Sequence, residues 1–257
     1  MNLSRTLVIT SNVFREVIRD RVLYLVGLFA VFIAASARLL PEISAGTQDK
    51  ILLDLGLAAI GLLGLVIAVF VGTGLINKEI EKRTVLVLIA KPISHAEFIV
   101  GKHLGLSAVL GVLIALMTAI FIGVLLFSRV AFPLPNIALS AVYLLLQLSL
   151  ITAVAIVFGV FTSSLLATLL TFAVYLMGNF SRDLVTFGTL SKNSAIERFA
   201  RGVYLVLPDL ARLDLKNQAV YGQLPDTHEL LLNAGYGVLY IALLLATATL
   251  IFSRRQF

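Results

Sequence analysis

Residues 53–83 read LDLGLAAIGLLGLVIAVFVGTGLINKEIEKR, an apolar run of 24 residues that ends abruptly on a cluster of charge. A run of that length crosses the hydrocarbon core, roughly 30 Å, as a helix rising about 1.5 Å per residue. A helix is demanded there because no water is present to satisfy stray backbone groups. The charge continues past Arg83. Residues 77–102, NKEIEKRTVLVLIAKPISHAEFIVGK, hold five of the twenty Lys and Arg residues before the next apolar run begins. A membrane protein that folds its densest charge between two spans offers a partner something to grip.

Composition supports the membrane reading along the whole chain. Of 257 residues, 60% are hydrophobic and 13% charged, with a mean hydropathy of +1.03, a balance that soluble domains rarely approach. Six stretches are apolar enough to span: 22–37, 53–76, 104–127, 137–161, 165–180 and 230–252. The first and fifth are short, so they are expected to extend into flanking residues or to sit beside thinned lipid.

Orientation follows from the basic residues, because positively charged loops resist translocation. With six spans, eleven of the twenty fall on one side, in the N-terminal segment, the 77–103 loop and the C-terminal tail. The short loops opposite hold only Arg38, Lys50 and Arg129. The expectation is a multi-pass protein of the cytoplasmic (inner) membrane with both termini cytoplasmic. Residues 22–37 end in Ala35-Ser36-Ala37, like a cleaved leader. Glu16 and Asp20 in the preceding helical pattern argue against cleavage.

At the N-terminus, Leu3, Leu7, Thr10, Val13, Phe14, Val17 and Ile18 recur at helical spacing while Arg5, Asn12, Arg15, Glu16 and Arg19 fall elsewhere. This is an amphipathic helix along the cytoplasmic face, or more simply a basic anchor before the first span. Within 77–102, Lys91-Pro92 breaks any helix. Ser94-His95-Ala96-Glu97 then has capping-box spacing for a new one. Residues 181–229 are mixed and polar, and suggest short helices packed on the outer face. The expected fold is all-α: a single transmembrane domain, 1–257, with an interfacial helix in 1–21, a cytoplasmic segment at 77–103 and an extracytoplasmic segment at 181–229.

Enzyme chemistry is sparse. There is no cysteine, and the three histidines form no H-E-x-x-H pair, so neither thiol chemistry nor a zinc site is indicated. Gly101-Lys102 mimics the end of a phosphate-binding loop, but Ala96 and His103 stand where glycine and Ser or Thr are needed. No cofactor is expected in this chain, and nothing points to nucleic acid. Asp54 is the one acidic residue inside a span, in its first turn, where it can reach the interface. Coupling to a proton or sodium gradient is therefore disfavoured.

Uncharged polar residues do form a pattern. Ser164, Thr168, Thr171, Tyr175 and Asn179 follow at steps of four, three, four and four, which stacks them on one helix face. Two readings stay open: the stripe lines a translocation path, or its members hydrogen-bond to neighbouring helices and to their own backbone. Gln147, Ser149 and Thr152 are weaker candidates of the same kind. Gly56, Gly61, Gly64, Gly72 and Gly74 in the second span allow close helix approach, for packing or for motion.

Laid out in this way, the chain resembles the permeases of the ABC type-2 family over nearly its whole length. The resemblance rests on Glu79-Ile80-Glu81-Lys82-Arg83-Thr84, Leu88, Lys91-Pro92-Ile93-Ser94, Glu97-Phe98 and Gly101-Lys102. The amphipathic N-terminal helix and Leu207-Pro208-Asp209-Leu210 with Asp214-Leu215-Lys216 add to it. It implies that a second permease copy pairs with this one as a homodimer, and that each docks on a separate ABC ATPase subunit carrying ATP and Mg. It also implies that Lys78, Glu79, Glu81, Lys82, Arg83 and Thr84 belong to a coupling helix entering a groove on that ATPase, and that 181–229 forms the outer gate. An ATP-driven exporter permease in contact with membrane lipid is the leading function. Thr, Tyr, Phe and Leu along the path lean toward an amphipathic or lipid-like substrate. A passive channel, or a scaffold anchoring a cytoplasmic complex, is the alternative.

Overall fold

The computed structural model describes residues 2–43, 46–81, 94–191 and 193–254. The described residues are helical, with no strand among them. Helix α1 runs Leu3–Val17 and passes through a π turn, Ile18–Val22, into α2, Leu23–Ile43. Then come α3 (Gln48–Glu81), α4 (His95–Phe127), α5 (Leu134–Phe161) and α6 (Ser164–Asn179). Between α6 and the last span lie α7 (Ser181–Leu190), α8 (Ser194–Val206), a 3₁₀ turn (Leu210–Arg212) and α9 (Lys216–Tyr221). The last span is α10 (Thr227–Arg254).

Five helices, α2, α3, α4, α5 and α10, are long and apolar enough to cross a membrane. The chain is thus a multi-pass membrane protein. The sixth expected span is α6, only 16 residues long. The chain bends by 65° between α6 and residues 183–190, and the two pieces pass the length and hydropathy test only together, as a broken span or a re-entrant loop. Burial ranks the layers: 67% of the apolar window of α5 is buried against 11% for α2. Helix α5 is therefore the axis, flanked by α3, α4, α6 and α10, and α2 lies at the periphery.

Local chemistry explains the helix starts. The Asn2 side chain accepts from the Ser4 amide at 3.1 Å. Ser94 and Glu97 form the full capping box, with Glu97 N to Ser94 Oγ at 3.2 Å and Ser94 N to Glu97 Oε2 at 3.0 Å. Gly222, at φ +71°, closes α9 in the left-handed region that suits glycine.

The second span and residues 77–81 form one continuous helix of 34 residues. No breaker separates them, and Asn77 turns its amide inward to the Thr73 carbonyl at 3.1 Å instead of capping a new start. The N-terminal helix buries Thr6, Val13 and Val17 against α4 and leaves Leu3, Leu7 and Val8 exposed. Small residues on α4 permit this docking: a Cβ on Gly105 would stand 2.6 Å from Val13 Cβ. Gly72 on α3 meets α5 in the same way, with Ala155 Cβ 3.0 Å from its virtual Cβ, so this glycine packs helices closely.

Candidate functional site

Two regions concentrate polar groups. The first lies at the end of the bundle where α3 finishes and α4 begins. Helix α4 has 33 residues, about 50 Å at 1.5 Å per residue, so its first turns project beyond the hydrocarbon core. There Lys102 Nζ pairs with Glu79 Oε1 at 2.5 Å, joining α4 to α3. The same ammonium sits 5.6 Å from the Phe98 ring centroid, and Phe98 stacks on Phe252 of α10 at 5.4 Å. Glu97 accepts from the Asn2 amide as well as from Ser94. These two backbone amides hold its carboxyl below the usual glutamate range. A turn deeper, His103 Nε2 donates to the Ser149 carbonyl at 3.0 Å, and Ser149 Oγ meets Ser107 Oγ at 2.9 Å.

This arrangement bears on the coupling residues that the resemblance implies. Glu79 is described, and its carboxylate is directed to Lys102 inside the chain. Lys78 and Glu81 lie on the last turns of α3, with side chains outside the described residues. Lys82, Arg83 and Thr84 lie wholly outside them. The sequence carried a signal for the Lys102 pairing only in hindsight, since Lys102 occupies a loop-like charged stretch yet falls on the buried face of α4.

The second region is a cavity of about 380 Å³ at the opposite end, near the range typical of small-molecule sites. Its walls are Leu57, Ile60 and Leu65 of α3 and Leu144 of α5, with Thr118, Ser140, Gln147 and Tyr175 as polar points. Residues Leu213–Lys216 roof it. That roof is clamped in place: Tyr236 OH accepts from the Asp209 amide at 2.8 Å, and Arg212 Nε donates to Asp209 Oδ2 at 3.0 Å. Arg212 also lies over the Tyr236 ring at 5.1 Å, and Leu210 and Leu213 are fully buried beneath.

The polar stripe of α6 meets this region unevenly. Tyr175 lines the cavity. Asn179 accepts from Gln147 Nε2 at 3.3 Å and donates to its own Tyr175 carbonyl at 2.8 Å. The Thr168 hydroxyl lies 3.0 Å from that of Thr73 on α3 and 2.9 Å from the Ser164 carbonyl, to which it can donate. Thr171 is buried and donates to Ala167 O at 2.7 Å. Asp54, considered above as a coupling group, pairs with Lys216 Nζ at 3.2 Å on the rim, so its charge is accounted for by the roof. Thr118 and Ser140 carried no signal in the sequence, since each is a lone polar residue in an apolar run. Among the described residues, no group of His, Asp or Glu could hold a metal ion.

The sequence model of the family described as "ABC-2 family transporter protein" matches residues 7–257. Comparison with curated proteins returns no match.

Proposed function

The chain belongs to the ABC-2 transporter family, and we propose that it is the membrane-spanning permease subunit of an ATP-driven exporter, forming the path and taking motion from a separate ATPase. Members of this family are membrane subunits without a nucleotide-binding domain of their own, and normally work with an ABC ATPase subunit. The observation that carries the reading is the family match over nearly the whole chain. In this reading ATP and Mg reside on the partner, two copies pair as a homodimer, and the termini face the cytoplasm of an inner membrane. The substrate is amphipathic or lipid-like.

Helix α3 supports the coupling role. Its 34 residues make a rod about 50 Å long, which carries Glu79 at one end and the cavity wall Leu57–Leu65 near the other. A push at the charged end is transmitted as rigid-body motion because the helix contains no proline. Lys78, Glu81, Lys82 and Arg83 supply the charge that selects and orients the ATPase, with Thr84 as a neutral neighbour in the same segment. The stripe from Ser164 to Asn179 forms the side of the path that slides against α3 and α5.

The test is reconstitution with a candidate ABC ATPase subunit. Stimulated ATP hydrolysis that is lost when Glu81 or Arg83 is reversed in charge is the expected result. Unchanged stimulation in both reversals would count against coupling through this segment. Ion conductance in bilayers without any ATPase would identify a channel instead.

A further inference from the structure

We propose that Phe252 is a positioning residue: through α10 it ties the roof over the cavity to the charged end of the bundle, so that a displacement at one is felt at the other. Four contacts fasten α10 to the roof and its approach. Tyr236 OH accepts from the Asp209 amide at 2.8 Å, and the Tyr236 ring lies under the Arg212 guanidinium at 5.1 Å. A Cβ on Gly237 would stand 3.3 Å from Leu213 Cδ1, so the bare backbone of α10 rests against the roof there. Tyr240 OH donates to the Val206 carbonyl, at the end of α8, at 2.7 Å. At its other end α10 enters a second apolar cluster, distinct from the main core. There Leu245, Ala248 and Phe252 pack with Ile76 of α3, Phe98 of α4 and Val160 of α5. The Phe252 and Phe98 rings stack at 5.4 Å and 22°, both residues being 4% exposed.

The route from the charged segment to α10 is contiguous. Glu79 pairs with Lys102, the Lys102 ammonium lies over the Phe98 ring, and Phe98 stacks on Phe252. The first turns of α4 thus join the end of α3 to the end of α10. Close-packed rings do not yield gradually and shift as a unit. Helix α10 follows them because little else holds it: 22% of its apolar window is buried, against 50% for α3. Leu232, Leu239, Leu243 and Leu250 on its free side are 61–73% exposed, and fluid lipid there offers a sliding helix no resistance. No proline interrupts residues 227–254, so the helix has no hinge of that kind. Phe252 lies sixteen residues beyond Tyr236, about 24 Å along the axis at 1.5 Å per residue. A displacement of the ring is therefore carried to the roof.

Use of this link by an ATPase rests on the permease reading above, but the link itself does not. The experiment therefore begins with the full chain in phospholipid nanodiscs without ATPase, and reads roof opening from hydrogen exchange of amides 209–216. Phe252→Ala should raise that exchange about tenfold, a usual size for coupling between sites, with exchange at 110–117 of α4 unchanged. Phe252→Tyr keeps the ring stack and should behave as the native chain. Tyr236→Phe frees the roof directly, so the double variant with Phe252→Ala should exchange no faster than the faster single variant. Phe29→Ala removes a fully buried ring from α2 and should leave the roof as it is. Roof exchange unmoved by Phe252→Ala, raised equally by Phe29→Ala, or additive in the double variant overturns the proposal. A candidate ABC ATPase subunit with ATP is added last. If roof exchange answers to Phe252→Ala but not to the ATPase, the link stands and the permease reading falls. If the ATPase is stimulated while the roof ignores Phe252→Ala, this inference falls alone.

Discussion

Lys102 on α4 reaches Glu79 on α3 at 2.5 Å, with the lysine side chain 7% exposed and the glutamate 27%. The two helices that bracket the charged segment are thereby bolted together one turn inside it. The pair is unequal in side-chain exposure, the lysine being the more buried, although one oxygen of the Glu79 carboxylate is buried too.

That asymmetry predicts unequal mutants. Glu79→Leu strands a buried ammonium and should destabilise by about 3 kcal/mol. Lys102→Met leaves a carboxylate that can still turn toward water and should cost about 1 kcal/mol. The double variant Glu79→Leu with Lys102→Met should recover most of the loss. Thermal unfolding of the four proteins in one detergent checks this, and equal losses in the two single variants would refute the asymmetry.

Docking of α1 depends on a missing side chain. Gly105→Ala places a Cβ 2.6 Å from Val13 Cβ and 2.9 Å from the Thr10 carbonyl oxygen, so α1 must lift away. A loss of about 1–3 kcal/mol from overpacking is expected. It should be visible as faster proteolysis within residues 3–17, with the spans unchanged.

Docking of α1 should also weaken in acid. The amides of Asn2 and Ser94 lower the Glu97 pKa from its ordinary 4.5, so the carboxylate is favoured in the folded state. Its contribution is fully present above 4.5 and is lost as pH falls through the lower, folded value. Hydrogen exchange of the α1 amides should rise over that acid window in the native protein. In Glu97→Gln it should already be raised at neutral pH and show little further change.

Thr118→Val removes a sealed, unpaired hydroxyl and keeps the shape. The protein should become about 1 kcal/mol more stable, whereas Thr171→Val, which breaks a satisfied bond to Ala167 O, should not gain. A shift of melting temperature in the two variants decides the point.

Asp54→Asn should change little. The Asp54–Lys216 pair leaves 53% and 32% of its side chains exposed, a setting in which ion pairs contribute roughly 0–1 kcal/mol. ATPase stimulation should be unaffected, and strong loss of transport in this variant would revive a role for Asp54 in ion coupling.

Much of this architecture is written in one dimension. Apolar runs of bilayer length announce α3, α4, α5 and α10, and the Ser94-x-x-Glu97 spacing announces where α4 starts. The 165–180 run, expected to extend into flanking residues or to sit beside thinned lipid, stays a 16-residue helix and is followed by a bend the sequence did not signal. Periodicity served the stripe from Ser164 to Asn179 less well. It correctly puts those residues on one face, but it cannot say that Tyr175 meets a cavity while Thr171 satisfies itself on Ala167.

The sequence by itself determined that this is a multi-span helical membrane protein, because hydrophobic length, capping and charge placement act locally along the chain; its kinship with ABC-2 permeases rests instead on matched motifs and the family model. Only the tertiary structure decided that Lys102 belongs to Glu79, that α1 nests on Gly105 and that the buried Thr118 hydroxyl is left without a partner. Those outcomes depend on how each helix is rotated about its axis and on what stands opposite. That rotation is set by close packing among several helices at once, so no single segment specifies it.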